Sequence, residues 1–189
     1  MNALELLKTD HQKVKELLKK AEGSKNQKQQ KQLFDQIKAE LETHAHIEET
    51  IFYPAVAKNE DLKDMVLESL EEHKQVKTLL REMENLSSDS EKFEPKLKVL
   101  MENVEHHAVE EEEGKMFPKV RKFMKPAELD ELGQELESAK EKQVRKASWY
   151  LFLWAEGQDR TPTMPNTSLE PRKTFATFVE TFNENLCET

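Results

Sequence analysis

Apolar residues recur every three or four positions along most of this chain, the period of a helix with one buried face. Leu4, Leu7, Val14, Leu17 and Leu18 share one side of a helix predicted over about Asn2–Glu22, which Gly23-Ser24 ends. Leu33, Phe34, Ile37, Leu41, Ile51 and Phe52 predict a second over about Lys28–Ala57, with Pro54 bending or weakening its last turn. A third is expected from about Asp61 to Leu86. A fourth, capped by Ser90 and tolerating Pro95 near its start, should run to about Met124, before Lys125-Pro126. Connections this short make successive helices antiparallel. The predicted fold class is therefore all-α, an up-down four-helix bundle over residues 1–125.

Beyond the bundle, residues 126–156 predict an additional helix, about Ala127–Ala155, that packs on it or extends it. Residues 157–189 read as a linker holding Pro162, Pro165 and Pro171, then a short amphipathic stripe: Phe175, Phe178, Val179, Phe182 and Leu186. That C-terminal aromatic segment needs an apolar partner, so self-association or a protein partner is expected of it.

Composition narrows the function classes. Charged residues make up 35% of the 189 and glycines number only four, which favours long amphipathic helices over sheet. A net charge of −9 argues against nucleic acid and against an anionic membrane surface, both of which need clustered cations. Met1–Lys20 carries charges at helical spacing and no apolar leader core, so a cytoplasmic protein is expected. Cys187, the single cysteine, has no partner for an internal disulfide.

The chemistry lies in a duplicated pattern. Asp10-His11, His44-Ala-His-Ile-Glu48-Glu49 and Phe52-Tyr53-Pro54 are echoed by Glu72-His73, His107-Ala-Val-Glu-Glu111-Glu112 and Met116-Phe117-Pro118. The offset is 62 positions from His11 to His73, 63 from His44 to His107 and from Glu48 to Glu111, and 64 from Pro54 to Pro118. A histidine and a glutamate four apart lie on nearly one face of a helix. The candidate ligands are thus His11, His44, Glu48, His73, His107 and Glu111. Imidazole plus carboxylate without thiolate suits iron or manganese better than structural zinc, and carboxylates from opposite halves can bridge two metals. His46 and His106 have no counterparts in the other half, so they read as surface residues or as supports for the ligands. Glu49 and Glu112 repeat as well, and either orient ligand histidines or are exposed acids.

These segments resemble the two signature segments of the hemerythrin-like HHE cation-binding domain. The resemblance covers about Met1–Met124. It implies a four-helix bundle with two irons per chain, oxo- or hydroxo-bridged, held by the six residues named. One position departs from the oxygen-carrying hemerythrins. Their third helix supplies two histidines four apart, and here the second of those positions is Lys77. Four histidines in place of five leave more coordination open to solvent, or recruit a further glutamate. The resulting expectation is a non-heme di-iron protein that binds or senses a small diatomic or peroxide ligand: oxygen, peroxide or nitric oxide. The alternatives are a di-iron enzyme reducing peroxide or oxygen, and an iron storage or repair protein.

Overall fold

A computed structural model describes residues 1–87 and 90–155, with 147–155 as backbone only. The linker and aromatic stripe expected after residue 156 lie outside the described residues. The chain divides into two compact units, Met1–Phe152 and Leu153–Thr189, and the first carries the bundle.

The bundle is all-helical among the described residues. Helix α1 is Ala3–Gly23, opened by a capping box in which Asn2 accepts from the Glu5 amide and Glu5 accepts from the Asn2 amide. Helix α2 begins at Gln27–Ile47, passes through a π-helical turn at Glu48–Phe52 and finishes at Tyr53–Val56. Helix α3 is Glu60–Glu84, capped by Asn59. Helix α4 comprises Phe93–Glu105, a long π-helical stretch His106–Met116, and Phe117–Phe123. Its start differs from expectation. Ser90 accepts from the Lys92 amide in a preceding turn, and the helix proper begins three residues later. Helix α5 is Pro126–Ala155. No helix among the described residues is long and apolar enough to cross a membrane.

Both π-helical segments run up to a proline. Pro54 and Pro118 have no amide to offer the carbonyl four residues back, and a proline ring crowds that carbonyl. The wider i→i+5 turn accommodates both problems. Just before each proline, Tyr53 N–H donates to Glu48 C=O, and Phe117 N–H donates to Glu112 C=O.

The core has two apolar clusters with a polar layer between them. Leu4, Leu7, Ile47, Phe52, Val56, Leu62, Val66, Met116, Phe117 and Val120 fill one end. Val14, Leu18, Phe34, Ile37, Leu41, Val76, Leu80, Leu97, Leu100 and Val104 fill the other. Every helix of the bundle crosses from one cluster to the other at a histidine: His11 between Leu7 and Val14, His44 between Leu41 and Ile47, His73 between Val66 and Val76, His107 between Val104 and Met116. Antiparallel packing therefore brings all four to one level.

Candidate metal centre

The four histidines meet as two pairs. His11 Nε2 lies 3.1 Å from His44 Nε2, and His73 Nε2 lies 3.1 Å from His107 Nε2. Two carboxylates stand between the pairs. Glu48 Oε2 is 3.2 Å from His44 Nε2 and 3.4 Å from His73 Nε2. Glu112 Oε2 is 3.1 Å from His11 Nε2 and 3.9 Å from His107 Nε2. Each carboxylate thus faces one histidine from each pair. Donor atoms of His11, His44, Glu48 and Glu112 form one close group, and those of Glu48, His73 and His107 a second.

Five of the six sequence candidates are brought together here. Glu111 is not among them, and Glu112 stands in the central position in its place. Glu111 instead pairs with Lys115 Nζ at 2.5 Å and lies 3.6 Å from His106 Nε2. The cause is the π-helical stretch. Before Glu48 the helix is regular, so the glutamate following His44 at four residues faces inward. The π-helical stretch begins at His106 and widens the turn after His107, so the inward glutamate is the fifth residue on. A signal was present in the sequence. The offset between halves grows from 63 at the histidine to 64 at the proline, and the extra residue falls between the two.

Outside these six side chains lies a ring of orienting carboxylates. His11 Nδ1 meets Glu113 Oε1 at 2.9 Å, His73 Nδ1 meets Glu49 Oε1 at 2.9 Å, and His107 Nδ1 meets Glu72 Oε2 at 2.7 Å. His44 Nδ1 faces Asp10 Oδ2 at 3.7 Å, an ion-pair distance. The repeat is obeyed throughout: the acid before one short-helix histidine serves the long-helix histidine, and the acid after the central glutamate serves the short-helix histidine. Each orienting acid in turn faces a lysine or a histidine. Lys77 Nζ holds both oxygens of Glu49 at 2.5 and 2.7 Å, and Lys8 Nζ lies 3.2 Å from Glu113. Lys140 Nζ holds Asp10, and His106 Nε2 lies 3.5 Å from Glu72. Lys77, which replaces the carriers' additional histidine, is therefore turned toward an acid and away from the centre.

A histidine whose Nδ1–H donates outward presents a bare Nε2 lone pair inward. Facing Nε2 atoms then have no proton to share. Glu48 Oε1 and Oε2 and Glu112 Oε2 are buried with no hydrogen-bond partner. Such a cluster of convergent, unsatisfied electron pairs fits cations. Without them, protons carry the balance. Burial opposes protonation of His44, but Glu48, Asp10 and Glu112 together push it up to about 10. Burial likewise resists ionisation of Glu48, and His44 and His73 hold it well below the usual carboxylate range. Tyr53 O–H donates to Glu112 Oε1 at 2.9 Å and lies 3.4 Å from His73 Nε2. Burial, then the charges of Glu112 and Glu48, push that phenol well up. The repeat does not mark this hydroxyl, because the counterpart of Tyr53 is Phe117, which carries no polar side-chain atom.

A cavity of about 30 Å³ adjoins the histidines, walled by Val14, Leu41, Val76, Leu80 and Val104.

Comparison with known proteins agrees with this architecture. A family profile described as the hemerythrin HHE cation binding domain matches residues 2–120. An uncharacterized protein of Mycobacterium tuberculosis is 29% identical over 151 residues, covering 79% of this chain and 91% of its own. A DNA nickase of Nostoc sp. is 28% identical over 142 residues; the match covers 75% of this chain but only 40% of the nickase. The crystal structure of a hemerythrin HHE cation binding domain-containing protein from Mycobacterium kansasii superimposes with a TM-score of 0.71 at 28% identity. It covers 84% of this chain and 95% of its own.

Proposed function

This chain belongs to the hemerythrin HHE cation-binding domain family, and from that premise we propose that it binds two iron ions and presents them to a small redox ligand. The observation that carries the reading is the shared placement of Glu48 and Glu112. Each lies between the two histidine pairs with an oxygen that has no hydrogen-bond partner. His11 and His44 would hold one ion, His73 and His107 the other, and the two glutamates would span both. Nitrogen and carboxylate donors without thiolate suit iron. A bound iron pair would supply the electrons that a redox ligand exchanges.

The chain's own residues define that ligand. A cavity of about 30 Å³ admits a molecule of about two heavy atoms, roughly twice the ~10–15 Å³ that one water needs. Its wall is largely aliphatic, so a neutral guest is favoured over a charged one, whose burial is costly. Oxygen, nitric oxide and hydrogen peroxide meet both conditions. The Lys77–Glu49 ion pair stands where the carriers place a further histidine, leaving the His73–His107 side with fewer protein donors.

A second reading, an enzyme that reduces peroxide or oxygen, is favoured by Tyr53. Its hydroxyl donates to Glu112 Oε1 and lies 3.4 Å from His73 Nε2, which puts an exchangeable proton beside the centre.

The test is anaerobic reconstitution with ferrous iron, elemental analysis, then exposure to each of the three ligands with absorbance recorded. The proposal expects about two irons per chain and a new charge-transfer band on exposure. Repeated consumption of peroxide, lost in Tyr53→Phe, selects the enzyme; a stable adduct selects binding or sensing. No iron uptake, or no spectral response to any of the three, would sink the proposal.

A further inference from the structure

Of the four orienting carboxylates, three find their partner within the bundle: Glu49 with the Lys77 ammonium, Glu113 with the Lys8 ammonium, and Glu72 with the His106 ring. Asp10 does not. Its ammonium comes from Lys140, on α5. Helix α5 lies beyond the residues matched by the family profile, which stops at 120.

The seating of α5 makes this contact specific. Leu129, Leu132 and Leu136 enter the apolar cluster at the end where α1 begins. Gly133 presses against the start of α1: a Cβ there would come within 2.5 Å of Met1 O and 2.8 Å of Ala3 N. Positions 129, 132, 133, 136 and 140 follow helical spacing along one face, so Lys140 continues the docking stripe to the level of Asp10. Its side chain is 26% exposed and that of Asp10 only 7%.

We propose that Lys140 is a positioning residue for the metal centre: through Asp10 it fixes the ligand His44, and so links docking of α5 to occupation of the site. The proposal rests on the metal-binding reading above. With its Nε2 given to a cation, His44 is a neutral imidazole whose Nδ1 faces Asp10 Oδ2 across 3.7 Å, an electrostatic contact longer than a hydrogen bond. Lys140 then supplies the counter-charge for a nearly buried carboxylate. Remove the ammonium and Asp10 is driven to turn toward water, and His44 loses the carboxylate that its Nδ1 faces. Linkage is reciprocal. Whatever factor Lys140 adds to metal affinity, metal binding adds to the docking of α5. The helix leading to the C-terminal segment thereby responds to the state of the centre.

The experiment uses the full chain. Ferrous iron is titrated anaerobically against a competing chelator in the parent, Lys140→Met and Lys140→Arg. Lys140→Met keeps the aliphatic stem and should weaken one of the two ions by about 10–100-fold, the usual cost of losing a supporting partner. Lys140→Arg should restore most of that affinity. In an Asp10→Asn background, Lys140→Met should add no further loss. Amide hydrogen exchange in residues 129–140 should slow when iron is added to the parent, and slow less in Lys140→Met. Parental affinity in Lys140→Met, equal weakening in the Met and Arg variants, a further loss in the Asp10→Asn background, or exchange in α5 indifferent to iron would each overturn the proposal. A parent chain that takes up no iron overturns the metal-binding reading as well, which separates the two failures.

Discussion

Substituting Glu112 by glutamine removes one negative charge from the centre and little else. Its side chain is fully buried, with Oε2 at 3.1 Å from His11 Nε2 and 3.9 Å from His107 Nε2, while Oε1 accepts from Tyr53. Glutamine has nearly the same volume, and its carbonyl oxygen still accepts from the phenol, so packing is preserved. The lost term is the attraction between a carboxylate and the cations it spans. At about 4 Å and an effective dielectric of about 20, one pair of unit charges is worth about 4 kcal/mol. That corresponds to roughly three decades in metal affinity, and both ions should feel it because Glu112 faces both histidine pairs. Glu111→Gln is the internal control. It breaks an i,i+4 pair with Lys115, whose side chain is 59% exposed, and should leave the iron content unchanged. The assay is iron per chain after desalting, with affinities from chelator competition. If Glu111→Gln loses iron while Glu112→Gln keeps it, the π-helical register argument is wrong.

Three further outcomes follow from the same geometry. His107→Ala should lose at least one ion, whereas His106→Ala, which reaches the site through Glu72, should weaken affinity by about 10–100-fold; equal loss in the two variants would show that the wrong histidine was placed inside. In the metal-free protein His44 is raised to about 10 from 6.5, so its protonated contact with Glu48 stabilises the fold fully below about pH 6.5 and is lost as pH rises through 10. Metal binding strengthens over the same range because ligand protons must leave, so the gap between metal-loaded and metal-free melting temperatures should widen from pH 6 to pH 9; a gap that narrows would contradict this. Gly133→Ala should destabilise by about 1–3 kcal/mol, because the new methyl meets the backbone of Met1 and Ala3; denaturant unfolding equal to the parent would show that α5 is not seated as described.

Much of this was legible in the sequence, for identifiable reasons. The helices were marked by apolar periodicity, and the histidines by a repeat that places each at the crossing between two apolar clusters. Glu48 was legible because the helix before it is regular. Glu112 was not, because the one-residue step in the offset can be placed on either side of Glu111, and only backbone geometry decides. Asp10 and Glu72 stood in the repeat as acids without an assigned role, and Glu49 as either an orienting or an exposed acid; Glu113 paired with Glu49 only once the extra residue was located. Lys140 could not be found at all. It lies 130 residues from Asp10 in sequence, in a helix with no repeat counterpart, and nothing local marks it apart from neighbouring lysines.

The central claim is that two histidine pairs, spanned by Glu48 and Glu112, hold two ions. Diffraction from iron-loaded crystals at the iron absorption edge tests it most directly. The account predicts two anomalous peaks per chain, one beside His11 and His44 and one beside His73 and His107, with Glu48 and Glu112 between them. A single peak, or a peak held by Glu111 on the outer face of α4, would contradict it.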